Sequence, residues 1–228
     1  SPGGGGLNVS SEGSGAQLYA GKSVRFKRTA SSGTFRMYTA STGNNQYLGD
    51  LLVTAEGNGF TAINYIPLDH YLYGVVAYEM NDSWPLEALK AQAVAARGYA
   101  ADCVGRYSTY DLLDTPQDQV YKGYKSEYKN VKAAVDATTG QVMTKDGKII
   151  RAYYGASNGG QTELTQNAWT NATSYCVMKD DPYDLRNPNS PRQTIFFPKS
   201  ASSDSPMDGK LASFLKTQVA PQLKSMGY

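Results

Sequence analysis

The chain has 228 residues, of which 40% are hydrophobic and 18% charged, so it can bury a substantial core and does not have the composition of a disordered segment. Its formal net charge of +2 is too small to indicate nucleic-acid binding. No apolar run approaches the ~20 residues that a membrane-spanning helix needs, and no signal peptide is recognisable.

The first part of the chain is predicted to be a linker followed by strands. Residues 1–16 are rich in Gly and Ser, which predicts a flexible linker before a single domain over residues 17–228. Residues 22–66 alternate short β-type runs with turn residues, which predicts strands and hairpins. The predicted strands are Ser23–Arg28, Thr34–Thr39, Tyr47–Ala55 and Phe60–Ile66, and Pro67 ends the last one.

The strongest helix signal begins after Ser83, which is predicted to be the N-cap, with Pro85 in the first turn, where its missing N–H costs nothing. Alanine is abundant in this segment, which favours a helix that another element can approach closely. The apolar residues at helical spacing predict one buried face. They are Leu86, Leu89, Ala93, Ala96 and Ala100.

The rest of the chain mixes helices with a hairpin. A second helix is predicted over Glu127–Thr138, capped by Ser126 and stopped by Gly140. Residues 141–154 predict a hairpin with its turn at 145–147, and 157–171 a polar loop. A final amphipathic helix is predicted over about 210–225. Strands followed by helices and a further hairpin indicate an α+β fold.

One carboxylate stands out in residues 71–85, where an apolar run ends at Glu79, a few residues before the alanine-rich helix. A carboxyl group held against Met80, Trp84 and tyrosine rings is partly desolvated, which raises its pKa and suits a general acid. The dipole of the following helix acts in the opposite direction. Composition alone also allows Glu79 to be a capping or ion-pairing residue of that helix.

Residues 71–100 contain two runs that stand out, Tyr-Leu-Tyr-Gly-Val-Val-Ala-Tyr-Glu-Met and Trp-Pro-Leu-Glu-Ala-Leu-Lys-Ala-Gln-Ala-Val-Ala-Ala-Arg. Together they closely resemble the signature of the stage II sporulation protein D family, which includes domains called amidase enhancers. Further matches are Gln-Val-Tyr-x-Gly at 119–123, Thr-Gly-Gln-Val at 139–142 and Tyr-Gly-Ala-Ser-Asn-Gly-Gly-Gln-Thr at 154–162. The resemblance covers about residues 66–184. Asn81 stands where the family usually has Pro, and Gly98 where it usually has Thr.

The resemblance implies a peptidoglycan lytic transglycosylase with Glu79 as its catalytic acid and base, and needs no second carboxylate, unlike most hydrolytic glycosidases. It also implies an α+β catalytic domain in which strands, the alanine-rich helix, the second hairpin and the C-terminal helix surround a groove. The partners would be glycan strands, with a cell-wall amidase or other sporulation or wall proteins as further candidates. The location would be extracellular or membrane-anchored, facing the wall, with the leader or anchor removed.

The residues predicted to bind substrate follow from the matched motifs and are Arg97, Gln119, Tyr121, Ser157, Gly160 and Thr162. Each has a structural alternative. Arg97 could pair with an acid inside the fold, and Gln119 and Tyr121 could face the core of a strand. The Gly-Gly loop that holds the other three could be only a turn.

Cysteines and metals require separate predictions. Cys103 and Cys176 either form a disulfide, as is favoured for an exported protein, or remain two buried thiols. Some relatives hold zinc through His and Cys around the Gln-Val-Tyr element, but residues 104–130 contain neither, so we predict no metal and no cofactor.

Two other functions stay open at this stage. One is a non-catalytic module that binds glycan or enhances an amidase. The other is a peptidase or esterase using Ser157 or a cysteine, which would have to rely on His70, the only histidine, and lacks a nucleophile elbow. The 18 tyrosines, against 6 phenylalanines, fit either half-buried strands or a sugar-stacking surface.

Overall fold

The computed structural model describes residues 2–3, 6–39, 43–169, 171–188 and 215–225. Over these residues the fold is α+β, as predicted. The strands are β1 Pro2–Gly3, β2 Gly6–Ser10, β3 Gln17–Gly21, β4 Ser23–Phe26, β5 Thr34–Thr39, β6 Gly43–Leu48, β7 Asp50–Glu56, β8 Gly59–Tyr65, β9 Thr144–Lys145 and β10 Lys148–Ile149. The helices are α1 Leu68–Glu79, α2 Leu86–Asp102, α3 Lys129–Ala137, α4 Thr165–Ala168 and α5 Pro182–Arg186, followed by a π-helical turn, Leu215–Val219, and a last helix, Ala220–Ser225.

The strands form small antiparallel sheets in the orders β1-β2-β3 and β4-β7-β8, with β5-β6 and β9-β10 as separate hairpins. Residues 6–10, predicted to be linker, instead form β2, because this stretch pairs with β3 and buries Leu7. The predicted strand Tyr47–Ala55 is divided in two at Gly49, whose φ of 91° is open to glycine but strained for other residues.

Helix α1 was not predicted as a helix. Its residues 71–77 are all buried, so the run is apolar on every side and carries no helical period that would reveal it. It begins directly after Pro67, which adopts an extended conformation as N-cap. Burial on all sides places α1 at the centre of the domain.

Helix α2 packs against both α1 and α3. The predicted apolar face is buried at four of its five positions, Leu89, Ala93, Ala96 and Ala100, each at most 1% exposed. Leu86, in the first turn, is instead 42% exposed because it precedes the contact with the other helices. The small alanine side chains allow this close helix packing.

Two predicted caps are not used. Helix α2 has Pro85 as N-cap, while the Ser83 hydroxyl and backbone N–H both donate to the side-chain oxygen of Asn81. Helix α3 starts at Lys129, two residues later than predicted, with Tyr128 and not Ser126 as its N-cap. The carboxylate of Asp82 accepts a 2.8 Å hydrogen bond from the Val131 N–H in its first turn, so a residue distant in sequence supplies the cap.

Gly74 marks the closest approach to α1. A Cβ there would lie 2.5 Å from the carbonyl oxygen of Gly123 and 2.5 Å from the Tyr121 ring. We expect Gly74→Ala to lower the free energy of unfolding by a net ~1–3 kcal/mol, despite the better helix propensity of alanine. Urea unfolding measures this. Gly155→Ala is the control, since no atom lies within 4 Å of its Cβ position; an equal effect of both changes would contradict the prediction.

The predicted second hairpin is confirmed as β9-β10, with Asp146 and Gly147 both at positive φ in its turn. Residues 157–169, predicted to be a loop, include the short helix α4. Of the predicted final helix, residues 215–225 are helical, and residues 210–214 lie outside the described part of the chain. No described helix has the length and apolarity to cross a bilayer.

Candidate active site

A groove of about 730 Å³ opens between the end of α1, the face of α2, residues 116–120 and residues 151–154. Its lining is polar and aromatic. It is formed by the acidic residues Glu79 and Asp118, the arginines Arg106 and Arg151, and the aromatic residues Tyr78, Tyr99, Tyr153, Tyr154 and Trp169.

Glu79 is the last residue of α1, and the following N–H, of Met80, still donates to the Val76 carbonyl. Partial burial raises the pKa of Glu79. The carboxylate stands at the negative end of α1, which also disfavours its charge. The dipole of α1 and the partial burial therefore both raise the pKa of Glu79. From the sequence, we expected the dipole of the next helix to lower it. Among the described residues the Glu79 carboxylate makes no hydrogen bond or ion pair.

Beside Glu79, a hydrogen-bonded chain leads from the core to the groove. The Tyr71 hydroxyl donates to the Gln119 carbonyl oxygen at 3.2 Å, and the Gln119 amide donates to the Tyr154 hydroxyl at 2.9 Å and to the Ala96 carbonyl at 3.2 Å. Burial raises the pKa of Tyr154 to about 12. Tyr154 is therefore protonated at neutral pH. Because it accepts from Gln119, its own O–H is available to donate into the groove.

Asp118 is the second carboxylate of the groove, and its environment differs from that of Glu79. Its side chain is fully buried and paired with Arg106. The same carboxylate accepts from the Leu113 N–H at 2.9 Å and from the Tyr107 hydroxyl at 3.4 Å. These partners occupy both oxygens, so Asp118 holds the loop of residues 106–118 in place and is not free to take a proton from water.

The other wall of the groove carries a second paired arginine. Arg151 donates through Nε and Nη2 to one oxygen of Asp102, both at 2.7 Å, and lies 5.5 Å from the centre of the Tyr99 ring. Tyr153 and Trp169 stack with their ring centres 4.5 Å apart.

Arg97, predicted to bind substrate, lies inside the fold and does not line the groove. It is 2% exposed and pairs with Asp69 at 3.0 Å. Its remaining donors reach the carbonyls of Val135 at 3.2 Å and Gln141 at 3.1 Å. The alternative reading, a buried and paired arginine, therefore describes its contacts.

Gln119 and Tyr121 also face the core. Gln119 is 2% exposed and reaches the groove only through Tyr154. Tyr121 is 5% exposed, and its hydroxyl donates to the Asn64 side chain at 3.2 Å. Side chains alternate along extended backbone, so the intervening residues, Asp118 and Val120, are the ones that line the groove.

The loop containing Ser157, Gly160 and Thr162 is not part of the groove lining. The Ser157 hydroxyl donates to Asp184 at 2.7 Å, and the same carboxylate accepts the Gly159 N–H at 2.8 Å. Thr162 donates to the Val177 carbonyl at 2.6 Å, and the Gly160 carbonyl accepts the Asp181 N–H at 2.7 Å. The structure thus joins this loop to the segment that begins α5.

Both cysteines are free thiols, so the predicted disulfide is not formed in this structure. Cys103 is buried at the end of α2, where its sulfur accepts a long hydrogen bond, 3.9 Å, from Arg106. The described residues bring no three His, Cys, Asp or Glu side chains together.

Most of the groove was missed from the sequence. Tyr99, Arg106, Arg151, Tyr153 and Trp169 belong to no single motif, and only the fold brings them together. The available signal was the excess of tyrosine, which the sequence could not assign to packing or to a binding surface. Among the predicted site residues, Glu79 alone lines the groove.

Residues 56–144 match the stage II sporulation protein family. The chain is 43% identical over 113 residues to the amidase enhancer of Bacillus subtilis, which is 50% of this chain and 15% of that protein. It is 32% identical over 144 residues to stage II sporulation protein D of B. subtilis, and the match covers 56% of this chain and 42% of that protein. An uncharacterized protein of Brachyspira hyodysenteriae is 32% identical over 161 residues, covering 60% and 44%. The chain thus spans less than half the length of these relatives.

Proposed function

Since residues 56–144 belong to the stage II sporulation protein family, we propose that this domain remodels the bacterial cell wall as a lytic transglycosylase. It cleaves the bond between N-acetylmuramic acid and N-acetylglucosamine in peptidoglycan and leaves 1,6-anhydro ends. The observation that carries the proposal is Glu79, a carboxylate with a raised pKa and no partner among the described residues, facing an open groove.

A single carboxyl group can perform both halves of this reaction. In its protonated form Glu79 gives its proton to the glycosidic oxygen as the bond to the muramic acid C1 breaks. The resulting carboxylate then takes the proton from the C6 hydroxyl of the same sugar, whose oxygen bonds to C1. The proton returns to Glu79, and no water is consumed.

The surroundings of Glu79 suit this sequence. The Tyr154 hydroxyl, oriented by Gln119, is a donor for the sugar or for the carboxylate formed after the first step. Asp118 is the other acid in the groove, and hydrolysis would need it as base or nucleophile. Its ion pair with Arg106 and its bond to Leu113 make it unsuited to that role. In this mechanism Gln119 is a positioning residue, because it acts through Tyr154. Arg97 has a structural role, because it is buried and paired with Asp69.

The test is to incubate the domain with glycan strands stripped of stem peptides and, separately, with intact peptidoglycan. Mass spectrometry then distinguishes 1,6-anhydro ends from hydrolytic reducing ends, which are heavier by one water. We expect anhydro ends. Reducing ends would indicate a hydrolase with Asp118 as the second carboxylate, and absence of either product would refute catalysis by this domain.

The relative named amidase enhancer, 43% identical over half of this chain, favours a second candidate function. In that case the groove binds glycan and the domain stimulates a separate cell-wall amidase. Adding wild type or Glu79→Gln to such an amidase and measuring peptide release separates the two functions. Equal stimulation by both, without anhydro ends, supports the enhancer. In either case we propose that the domain faces the wall outside the cytoplasm.

A further inference from the structure

Tyr153 and Trp169 form an exposed stacked pair on the wall of the groove. Their ring centres lie 4.5 Å apart with an interplanar angle of 29°, yet Tyr153 is 41% exposed and Trp169 55% exposed. Each ring uses one face against the other and leaves an apolar surface in the groove. Large apolar surface that stays in water in this way is a feature of binding sites.

The backbone that carries these rings is anchored. The Trp169 N–H donates to the Thr165 carbonyl at 2.7 Å. Thr165 is 3% exposed, and its hydroxyl oxygen accepts the Thr173 N–H at 2.8 Å. Tyr153 lies between Arg151, held by Asp102, and Tyr154, held by Gln119. The exposed pair is therefore pre-oriented by hydrogen bonds and an ion pair in the segments that carry it, which lowers the entropy cost of binding.

The charges beside the pair favour an uncharged ring as the ligand. Arg151 is neutralised by Asp102, and Arg106 by Asp118. A polyanion such as single-stranded nucleic acid would stack on the rings but would meet no excess positive charge. The paired guanidinium of Arg151 still offers N–H donors for hydroxyl or N-acetyl oxygens.

We propose that Tyr153 and Trp169 form a stacking subsite for the pyranose ring of an N-acetylhexosamine. This inference deepens the proposed function and rests on it. Tyr153, Tyr154 and Trp169 line the same groove as Glu79. The subsite would therefore hold another sugar of the strand on which Glu79 acts.

The two tryptophans of the chain allow a direct test. Trp84 is 50% exposed but does not line the groove, so Trp84→Phe leaves Trp169 as the only tryptophan, and Trp169→Phe leaves Trp84. Both variants are titrated with chitotetraose, an N-acetylglucosamine oligomer, and with oligothymidylate. We expect the fluorescence of Trp169 to change with chitotetraose and that of Trp84 to stay constant.

Calorimetric titration gives the size of the effect. We expect Trp169→Ala to weaken chitotetraose binding by about tenfold or more, Tyr153→Ala to weaken it to a smaller extent, and Trp84→Ala to leave it unchanged. Unchanged affinity in Trp169→Ala, or no chitotetraose binding by wild type, would overturn the subsite even if the domain cuts glycan. A Trp169 response to oligothymidylate alone would overturn it in favour of nucleic acid. Chitotetraose binding without anhydro products would instead retain the subsite and reject the catalytic proposal.

Discussion

Glu79→Gln is expected to reduce the formation of anhydro ends by on the order of 10³-fold, the scale of general acid–base catalysis. The amide keeps the size of the side chain but can neither give a proton to the leaving oxygen nor take one from the C6 hydroxyl. Because Glu79 is exposed and makes no bond in the described part of the chain, the substitution should leave the fold intact. Initial rates on stripped glycan measure the loss of activity, and circular dichroism checks that the variant is folded.

The pH profile gives an independent check on Glu79. Partial desolvation of its carboxyl group raises the pKa of Glu79 above the ordinary value for glutamate, about 4.3. The protonated acid is needed for the first step, so activity should fall as the pH rises through this raised value. The alkaline limb of the rate on stripped glycan should therefore lie above pH ~4.3. A limb at or below that pH would place the titration on another group.

The control for Glu79→Gln is Gln117→Glu, in which a carboxylate is added to the groove lining without altering Glu79. It should retain most of the wild-type rate. If Glu79→Gln retains the rate equally well, the general acid lies elsewhere and the proposed mechanism is wrong.

Arg97→Met is expected to produce the largest loss of stability, about 3–5 kcal/mol, because it removes a buried arginine that pairs with the partly buried Asp69. The change leaves Asp69 without its cation and removes the N–H donors to Val135 and Gln141. These contacts join α1, α2, α3 and the turn after α3. Such a loss is a large part of the 5–15 kcal/mol by which domains are usually stable. Urea unfolding followed by circular dichroism measures it.

Lys90→Met is the matched control on the same helix. Lys90 pairs with Glu87 at 2.7 Å, but Glu87 is 81% exposed, and pairs of this kind contribute about 0–1 kcal/mol. A loss below ~1 kcal/mol for Arg97→Met, similar to the control, would show that the buried network contributes little to stability.

How much could be predicted from the sequence depended on whether the signal was local. The buried face of α2, which contains Leu89 and Ala93, follows from helical spacing and was predicted correctly. The turn at Asp146 follows from turn chemistry and was also predicted correctly. Helix α1 was missed because complete burial removes the amphipathic period. The cap that Asp82 provides for α3 joins residues 49 positions apart, a pairing that no local pattern reveals.

The candidate site divides in the same way. The family motif singled out Glu79, which lines the groove, whereas the sequence left both faces open for Gln119 and Tyr121, which face the core. Choosing between the two faces of extended backbone requires knowing which side meets the core, and that information comes from α2. Arg151 and Trp169 reach the groove through tertiary contacts, so the sequence alone did not place them there.

The two walls of the groove come from different parts of the chain. Glu79, Tyr99 and Asp118 lie within the stretch that matches the family, residues 56–144, whereas Tyr153 and Trp169 lie beyond it. A shortened domain that stopped at residue 144 would keep Glu79 and lose the stacked pair of Tyr153 and Trp169. Residues 145–169 are therefore part of the minimal unit for any test of the groove, because they supply its exposed aromatic surface.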